Sequence, residues 1–245
     1  MSEVVVITGA AGGIGRVLSL AAAAAGYAVV AADIATADVA DEIEAAGGEG
    51  LAVTVDVTEA SSTRALAEAA LERFGRIDAL VNNAAHYTAI EKRPFDEIDV
   101  GEWDRCFAVN VRGAWLCAAA VAPAMRRRRR GKIVNVSSMT VPTAPPGFAH
   151  YVASKAAIVG LTRALARELG EDGICVNTLT PDYIAFDREY DRRQPEMTGV
   201  LTAQRCFKRP AEADDLVGTL LYLLGPGSDF VTGQNIWVNG GRAFS

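Results

Sequence analysis

Val4-Val5-Val6-Ile7-Thr8-Gly9-Ala10-Ala11-Gly12-Gly13-Ile14-Gly15 is the stretch that decides the fold of this chain. Its opening β-branched run predicts a strand that is buried on both faces. The glycines that follow predict a turn, because glycine adopts positive φ and has no Cβ to block a close approach. An alanine-rich helical pattern comes next, and the free N–H groups at a helix start attract anions. Strand, glycine turn and helix in this order predict a site for the pyrophosphate of a nucleotide, with a plain tight turn as the alternative.

Length and charge limit the classes of protein to consider. The chain has 245 residues, half of them hydrophobic, and its strand and helix patterns alternate without a linker. We therefore expect a single α/β domain over residues 1–245. The net charge of −6 argues against a nucleic-acid partner. The run 126–130 of five arginines is typical of a solvated helix end facing the negative end of the macrodipole, with a phosphate or nucleic-acid patch as the alternative.

Cysteine usage and hydropathy bear on the cellular compartment. The four cysteines lie far apart without a C-x-x-C pair, and the chain has two histidines, so neither disulfides nor a metal site is predicted. The N-terminal residues enter a strand directly, and uninterrupted apolar runs stay shorter than the roughly 18 to 20 residues of a membrane span. We expect a soluble, cytoplasmic protein without a membrane partner.

Acidic residues follow the second and third predicted strands. In a dinucleotide fold, an acid in the position of Asp33 accepts hydrogen bonds from the adenosine ribose and repels a 2′-phosphate. Neither Gly12 nor Ile34 supplies a cation for such a phosphate, so the pattern favours NAD over NADP. Asp56 is predicted to bind the adenine amino group, with Val57 beside the ring. An ordinary capping or loop aspartate is the alternative for Asp33.

A serine, a tyrosine and a lysine form the candidate catalytic group. Tyr151 and Lys155 are four residues apart and therefore share one face of a helix, and Ser138 ends a predicted strand thirteen residues before the tyrosine. A tyrosine normally has a pKa of about 10, and a neighbouring ammonium lowers it. Tyr151 is then able to exchange a proton with an alcohol or carbonyl oxygen, to which Ser138 donates a hydrogen bond.

The motifs Thr8-Gly9-x-x-x-Gly13-x-Gly15, Asn82-Asn83-Ala84 and Tyr151-x-x-x-Lys155 resemble the single-domain short-chain dehydrogenase/reductase family over essentially the whole chain. The resemblance implies a Rossmann-type, doubly wound α/β sheet of seven parallel strands. It implies hydride transfer between NAD(H) and a secondary alcohol or ketone, with a dehydratase or epimerase as a further possibility within enzymes. It also implies that Lys155 binds the nicotinamide ribose, and its spacing selects Ser138 over Ser137.

The predicted cofactor site combines the strand pattern with this resemblance. Its residues are Thr8, Gly9, Gly13, Ile14, Gly15, Asp33, Asp56, Val57, Asn83, Ala84, Tyr151, Lys155, Pro181 and Ile184.

Asn110 joins Ser138, Tyr151 and Lys155 in the predicted catalytic set. It stands inside a long predicted helix, Trp103 to Met125, where asparagine is a mediocre helix former. By the resemblance, it distorts this helix and holds a water against the lysine. A buried asparagine bonded to a neighbouring carbonyl is the alternative.

Three positions depart from the family pattern. Ala85 and Asp182 stand where the family usually has glycine, and Phe186 stands where it has a threonine that bonds the cofactor. The last two touch the nicotinamide end, although the backbone of Ile184 is still able to meet the carboxamide. They motivate an alternative function, an NAD-binding sensor or scaffold protein with degraded catalysis.

The sequence predicts a class of substrate and a choice of two assembly states. Residues 187–208 resemble a segment that closes over the substrate, with a surface helical hairpin as the alternative. Two apolar stripes on the helix that carries Tyr151 predict a homodimer or homotetramer.

An apolar pocket for a hydrophobic or aromatic substrate is predicted from His86, Met139, Val141, His150, Tyr183 and Phe186. Direct substrate contacts are assigned to Ser138, Met139, His150, Tyr151 and Tyr183.

Overall fold

The computed structural model describes residues 2–35, 38–186 and 196–244. Its seven strands form one parallel sheet in the order β3-β2-β1-β4-β5-β6-β7. The predicted Rossmann-type fold is therefore confirmed. The strands are β1 (Val4–Thr8), β2 (Ala28–Asp33), β3 (Gly50–Thr54), β4 (Ala79–Asn82), β5 (Gly131–Val136), β6 (Ile174–Pro181) and β7 (Asn235–Val238).

The helices follow the strands in the alternation that a parallel sheet requires. They are α1 (Gly13–Ala24), α2 (Val39–Ala45), α3 (Ala60–Phe74), α4 (Val100–Phe107), α5 (Ala114–Arg128), a short α6 (Thr140–Thr143), α7 (Ala149–Leu169), α8 (Met197–Gln204) and α9 (Val217–Leu224).

The β-branched residues of β1 supply both hydrophobic cores. Val4 and Val6 face the core formed with α3, α5 and α7. Val5 and Ile7 face the opposite core, formed with α1, α2 and α9. Because side chains alternate along a strand, a strand covered on both faces must be apolar at every position.

The strand order reverses beside β1, which pairs with β2 on one side and β4 on the other. In open parallel sheets, the connections diverge at such a point and leave a crevice beyond the carboxyl ends of the strands. The glycine turn after Thr8 and the polar segment after Asn82 both open into this crevice.

The long helix predicted from Trp103 to Met125 is interrupted. Between α4 and α5, residues 108–113 form a π-helical segment that contains Asn110. The stretch Val100–Arg128 is long and apolar enough to cross a membrane. In this fold it is a core helix, since Val121 and Met125 are fully buried in the core beneath the sheet.

The arginine run is the end of α5. Arg126 pairs with Asp172 at 2.8 Å, and Arg130 lies 3.3 Å from Glu3. Arg129 takes positive φ as the C-cap of the helix. Two arginines of the run therefore have acidic partners on the protein. This agrees with the interpretation of the run as a solvated helix end.

Candidate active site

A cavity of about 750 Å³ lies beyond the carboxyl ends of the strands. It begins at the glycine turn after β1, passes the ends of β2 to β6, and reaches α8 and the C-terminal tail. Its size is typical of a site for a cofactor with a small substrate.

The glycine turn forms an anion cradle at one end of the cavity. A Cβ on Gly9 would lie 2.9 Å from the Cα of Ala84, and Gly9 has φ of +68°. Gly12 faces open space, and no side chain caps the start of α1 at Gly13. The first N–H groups of α1 are therefore left for a ligand, and this arrangement fits the pyrophosphate of a dinucleotide.

Thr8 and Asn83 brace this turn. The Thr8 hydroxyl oxygen accepts hydrogen bonds from the backbone N–H groups of Asn83 and Ala84, both at 3.1 Å. The side-chain amide of Asn83 donates to the carbonyl oxygens of Thr8 and Gly9 at 3.0 and 3.1 Å. Asn83 and Ala84 line the cavity, whereas Thr8 is buried behind its wall.

Gly15 also lies outside the lining. A Cβ at this position would overlap the carbonyl oxygen of Gly9, so glycine is needed for packing within the turn. Thr8 and Gly15 shape the cradle from behind its wall, and the cofactor contact predicted for them stays a prediction.

Two carboxylates mark the adenosine end. Asp33 accepts from the backbone N–H of Ala11 at 2.9 Å, and Asp56 accepts from the hydroxyl of Thr58 at 2.7 Å. Both line the cavity together with Val57. The adenosine contacts assigned to these acids stay a prediction.

Tyr151 and Lys155 project from the first turns of α7 into the cavity wall. The Lys155 Nζ lies 5.8 Å from the centre of the Tyr151 ring and donates to the carbonyl oxygen of Val136 at 2.9 Å. Burial lowers the pKa of Lys155 from 10.5 to about 8. The Tyr151 ring packs against Tyr87, with ring centres 5.0 Å apart.

The two serines after β5 have different hydrogen-bonding states. Ser137 donates its hydroxyl proton to the carbonyl oxygen of Lys155 at 2.9 Å. Ser138 accepts hydrogen bonds from the N–H and the hydroxyl of Thr140, at 3.1 and 3.0 Å. Its own proton is left to donate to a ligand, because a hydroxyl has one donor and two acceptor sites. The geometry favours Ser138 over Ser137 for the substrate oxygen.

Asn110 lies behind the cavity wall, 2% exposed. Its carbonyl oxygen accepts from the backbone N–H of His86 at 2.7 Å, and its amide donates to the hydroxyl of Ser154 at 3.0 Å. It therefore connects the π-helical segment to the loop after β4 and to α7. Its side chain acts as a positioning group in this structure.

His150 is a correction to the predicted substrate contacts. It is 1% exposed and absent from the cavity lining, because it points away from Tyr151 on α7. Its Nε2 lies 3.7 Å from a Glu102 carboxylate oxygen, and burial lowers the pKa of its imidazole. The other histidine, His86, lines the cavity and bonds to Glu102 at 2.8 Å.

Sequence comparisons place this geometry in a known family. The family profile described as Enoyl-(Acyl carrier protein) reductase matches residues 9–243. The 3-oxoacyl-[acyl-carrier-protein] reductase FabG of Staphylococcus aureus is 34% identical over 245 residues, with 98% of each chain covered. The (2S)-[(R)-hydroxy(phenyl)methyl]succinyl-CoA dehydrogenase subunit BbsD of Thauera aromatica is 37% identical, with 99% of this chain and 97% of the relative covered.

Solved structures agree with the sequence matches. A proposed short-chain alcohol dehydrogenase from Sinorhizobium meliloti superimposes with a TM-score of 0.91 and 30% identity, covering 99% of this chain and 97% of the other. The chain belongs to the short-chain dehydrogenase/reductase family. This short-chain dehydrogenase/reductase is an oxidoreductase of a family that binds a nicotinamide cofactor.

A second solved structure bears on the choice of cofactor. A proposed NAD(P)-dependent gluconate 5-dehydrogenase from Beutenbergia cavernae has a TM-score of 0.89 and 36% identity, covering 98% of this chain and 96% of the other. It was solved with NADP bound at low occupancy. The choice between NAD and NADP therefore depends on the residues of this chain.

Ala85, Asp182 and Phe186, the three departures from the family pattern, all line the cavity. Pro181, Tyr183, Ile184 and Phe186 line the cavity as predicted from their positions. The carboxylate of Asp182 is buried against Arg205 and Arg242. Its negative charge is thus compensated by protein cations, which removes much of the expected conflict with a cofactor.

The predicted substrate-closing segment lies partly outside the described residues, since 187–195 are not among them. Of the remainder, α8 contributes Met197, Val200 and Leu201 to the cavity wall. Val141 was expected in the pocket but does not line it.

Several lining residues were missed by sequence reasoning. They are Tyr87, Lys92, Phe148, Met197 and Arg242. They come from loops, a late helix and the C-terminal tail, where the sequence has no periodic signal. The pairing of a buried aspartate after β6 with a distant arginine is visible only in the folded chain.

Proposed function

We propose that this oxidoreductase is an NAD-dependent alcohol dehydrogenase or ketone reductase that acts on a small molecule, a secondary alcohol or ketone with a hydrophobic or aromatic substituent. The observation that carries the proposal is the grouping of Ser138, Tyr151 and Lys155 in the wall of one cavity whose far end holds Asp33. In this arrangement Tyr151 is the proton donor, Lys155 is the cation that favours its ionised form, and Asp33 is the acid suited to a ribose.

The chemistry divides between cofactor and protein. A nicotinamide cofactor bound in the cradle supplies the hydride donor or acceptor. Ser138 donates its remaining proton to the substrate oxygen and stabilises the charge that develops there. Tyr151 gives its hydroxyl proton to that oxygen during reduction and takes one back during oxidation. The Lys155 ammonium favours the phenolate of Tyr151, since an opposite charge stabilises the ionised form.

The proposed choice of NAD rests on Asp33 and on the cations around it. A carboxylate at the end of β2 accepts hydrogen bonds from ribose hydroxyls and repels a 2′-phosphate. Arg16 on α1 bonds to Glu42 at 3.2 Å, so its guanidinium has an acidic partner already.

The proposed substrate class rests on the aromatic rings of the wall. Tyr87, Phe148, Tyr183 and Phe186 line the end of the cavity near Tyr151. Apolar surface of this kind favours an apolar substituent, at roughly 25 cal/mol per Å² of area buried. Two relatives carry names that refer to an oxoacyl group and to a hydroxy(phenyl)methyl group, in keeping with oxidation and reduction at a carbon-bound oxygen.

The test is a fluorescence titration with NADH and NADPH side by side, followed by a panel of ketones with wild type and Tyr151→Phe. We expect NADH to bind at least about ten-fold more tightly than NADPH, a difference of about 1.4 kcal/mol. NADH binding without turnover on the whole panel would instead favour the sensor or scaffold function. Binding of neither nucleotide would overturn the proposal.

We further propose that the chain forms a homodimer or homotetramer in the cytoplasm. Support comes from Trp103 and Trp115, which are 39% and 49% exposed on α4 and α5, and from the exposed small residues Gly160 and Ala164 on α7. Apolar side chains exposed on neighbouring helices favour burial against a second copy. All four cysteines are free, in keeping with a reducing compartment. A monomeric mass by light scattering at micromolar concentration would contradict the assembly.

A further inference from the structure

Three charged side chains form a buried cluster at the nicotinamide end of the cavity. The carboxylate of Asp182 accepts from the Nε of Arg205 at 2.7 Å and from the Nη1 of Arg242 at 2.6 Å. The side chains of Asp182, Arg205 and Arg242 are 0%, 2% and 13% exposed. One carboxylate faces two guanidiniums, so the cluster carries one uncompensated positive charge.

The two arginines differ in how many of their donors are used. Arg205 bonds through all three of its nitrogens, because its Nη1 and Nη2 donate to the carbonyl oxygens of Arg209 and Tyr183 at 3.1 and 3.0 Å, in addition to the bond from Nε to Asp182. Arg242 donates from Nε to Gln204 at 3.1 Å and from Nη1 to Asp182. Its Nη2 has no acceptor among residues 2–35, 38–186 and 196–244. Of the two side chains, Arg242 is therefore the one with a terminal nitrogen, Nη2, that makes no hydrogen bond to the described residues.

Only Arg242 of the pair faces the large cavity. It is part of the cavity lining, whereas Arg205 lines a separate depression on the other side of Ile184. The tail that carries Arg242 is anchored near the catalytic serine, since the amide of Asn239 contacts the Met139 sulfur at 3.5 Å. The tail thus contacts the residue that follows Ser138, and Arg242 itself bonds to Asp182 beyond the end of β6.

Among residues 2–35, 38–186 and 196–244, Asp182 is the carboxylate that pairs with Arg242. Asp33 and Asp56 lie at the adenosine end, and the carboxylate of Asp182 is already shared by two arginines. Glu196 also lines the cavity but is exposed to solvent, and no ion pair within the described ranges joins it to Arg242. A buried guanidinium with free N–H groups favours a planar anion, which it binds with charge-assisted hydrogen bonds.

We propose that Arg242 is a specificity-determining residue that binds a carboxylate on the substrate, a group separate from the reacting hydroxyl or carbonyl. The inference rests on the proposed function, because it names the substrate class of the same site. Asp182 holds the guanidinium in place through Nη1, and Nη2 is presented to the ligand. The substrate is then an oxo acid or hydroxy acid whose apolar part packs against the aromatic wall.

The test compares 3-phenylpropanoate with the neutral 3-phenylpropanamide by calorimetric titration into the protein saturated with NADH. For wild type we expect the carboxylate to bind at least about ten-fold more tightly than the amide. Arg242→Gln should abolish this preference and leave NADH affinity unchanged. Arg242→Lys should keep part of the preference, because it retains the charge and loses the fork of donors.

Arg205→Gln is the matched control. It removes the same number of contacts from Asp182 but keeps the Arg242 guanidinium in the large cavity, so the preference for the carboxylate should remain. Thermal unfolding of each variant checks that it is folded, and Arg242→Lys serves as the second variant if Arg242→Gln does not fold.

Four outcomes separate the possible sources of failure. Equal binding of carboxylate and amide by wild type, or saturable binding of neither, overturns the inference. The inference is also overturned if Arg205→Gln and Arg242→Gln lose the preference for the carboxylate equally. The preference would then depend on Asp182, which both variants disturb. Weaker NADH binding by Arg242→Gln with an unchanged probe preference assigns the guanidinium to a cofactor phosphate instead. Failure of wild type to bind NADH refutes the proposed function, and the same two probes on the free protein still test Arg242.

Discussion

The Nζ of Lys155 lies 5.8 Å from the centre of the Tyr151 ring, one helical turn along α7. In the proposed function, Tyr151 exchanges a proton with the substrate oxygen and Lys155 supports this exchange. Replacing Tyr151 by Phe removes the proton and keeps the ring. We expect turnover to fall by a factor of about 10² to 10⁴ while NADH affinity is retained. Steady-state kinetics with a parallel NADH titration measures both, and unchanged turnover would exclude Tyr151 as the acid and base.

Burial of the charged Lys155 side chain lowers the stability of the folded protein. Its pKa of about 8 in the folded protein lies below its ordinary 10.5 because of burial, so the unfolded chain binds more protons between these values. The free energy of unfolding therefore rises as the pH increases from about 8 to 10.5. Below pH 8 the buried Lys155 is charged, and it lowers the free energy of unfolding by its full amount. We expect Lys155→Met to stabilise the protein at pH 7 by about 3 kcal/mol, and the gain to vanish above pH 10.5.

Urea unfolding at pH 7 and at pH 10.5 measures this difference. Lys132→Met is the control, since Lys132 is also buried but pairs with Asp229 at 2.8 Å. Its replacement should not stabilise the protein. A Lys155→Met variant that is less stable than wild type at pH 7 would show that the ammonium is not penalised by burial.

The burial of His150 predicts that the protein loses stability in acid. Burial, the leading cause, lowers the pKa of its imidazole below 6.5, so on acidification the unfolded chain takes up a proton before the folded one. Stability that is present above pH 6.5 is lost as the pH falls below it. We expect His150→Gln to lose less unfolding free energy between pH 7 and pH 5 than wild type does. His86→Gln is the control, because His86 lines the cavity and already has Glu102 as a partner; equal slopes for wild type and His150→Gln would refute the assignment.

Asp33 is expected to set the preference between the two nicotinamide cofactors. Asp33→Ser removes the charge that repels a 2′-phosphate and weakens the bonds to the ribose. We expect the ratio of NADPH to NADH affinity to rise by at least about ten-fold in fluorescence titrations. Asp56→Ser should weaken NADH and NADPH equally, since Asp56 is assigned to the adenine ring that both share. An unchanged ratio in Asp33→Ser would place the discriminating group elsewhere.

Asp182→Gly restores the residue usual in the family and should nevertheless destabilise this protein. It leaves Arg205 and Arg242 buried without their shared carboxylate. Removing one partner from a buried ion pair costs about 3 to 5 kcal/mol. Glu91→Ala breaks the exposed pair with Arg93 and should cost less than about 1 kcal/mol. Chemical denaturation compares the two, and a neutral Asp182→Gly would mean that the guanidiniums find other partners.

Local patterns predicted the parts of the molecule whose physics is local. The β-branched run of β1 is required by burial on both faces, and the glycines after it are required where a Cβ would meet Ala84 or the Gly9 carbonyl. Helical spacing alone put Tyr151 and Lys155 on one face of α7. The distortion of the long helix at Asn110, which the family resemblance implied, is present as a π-helical segment, where the Asn110 side chain bonds to His86 and Ser154.

Side-chain direction was where sequence reasoning failed. His150 precedes Tyr151 by one residue, and about 100° of helical rotation turns it towards Glu102 instead of the cavity. Thr8 and Gly15 belong to the motif but lie behind the wall they support. Neighbours in sequence therefore took different roles according to the elements packed against them.

The amino-acid sequence by itself determined the strand, glycine turn and helix at the start of the fold and the shared helix face of Tyr151 and Lys155, because these follow from periodicity, glycine geometry and fixed spacing. The seven-stranded sheet and the choice of Ser138 came from the resemblance to the family. Only the tertiary structure decided that Ser138 has a proton to donate, since Thr140 fills its acceptor sites, whereas the hydroxyl of Ser137 donates a hydrogen bond to the carbonyl oxygen of Lys155. Only the tertiary structure brought Arg242 to Asp182, sixty residues away along the chain. Donor saturation and charge balance depend on which groups meet across the fold, and sequence spacing does not contain that information.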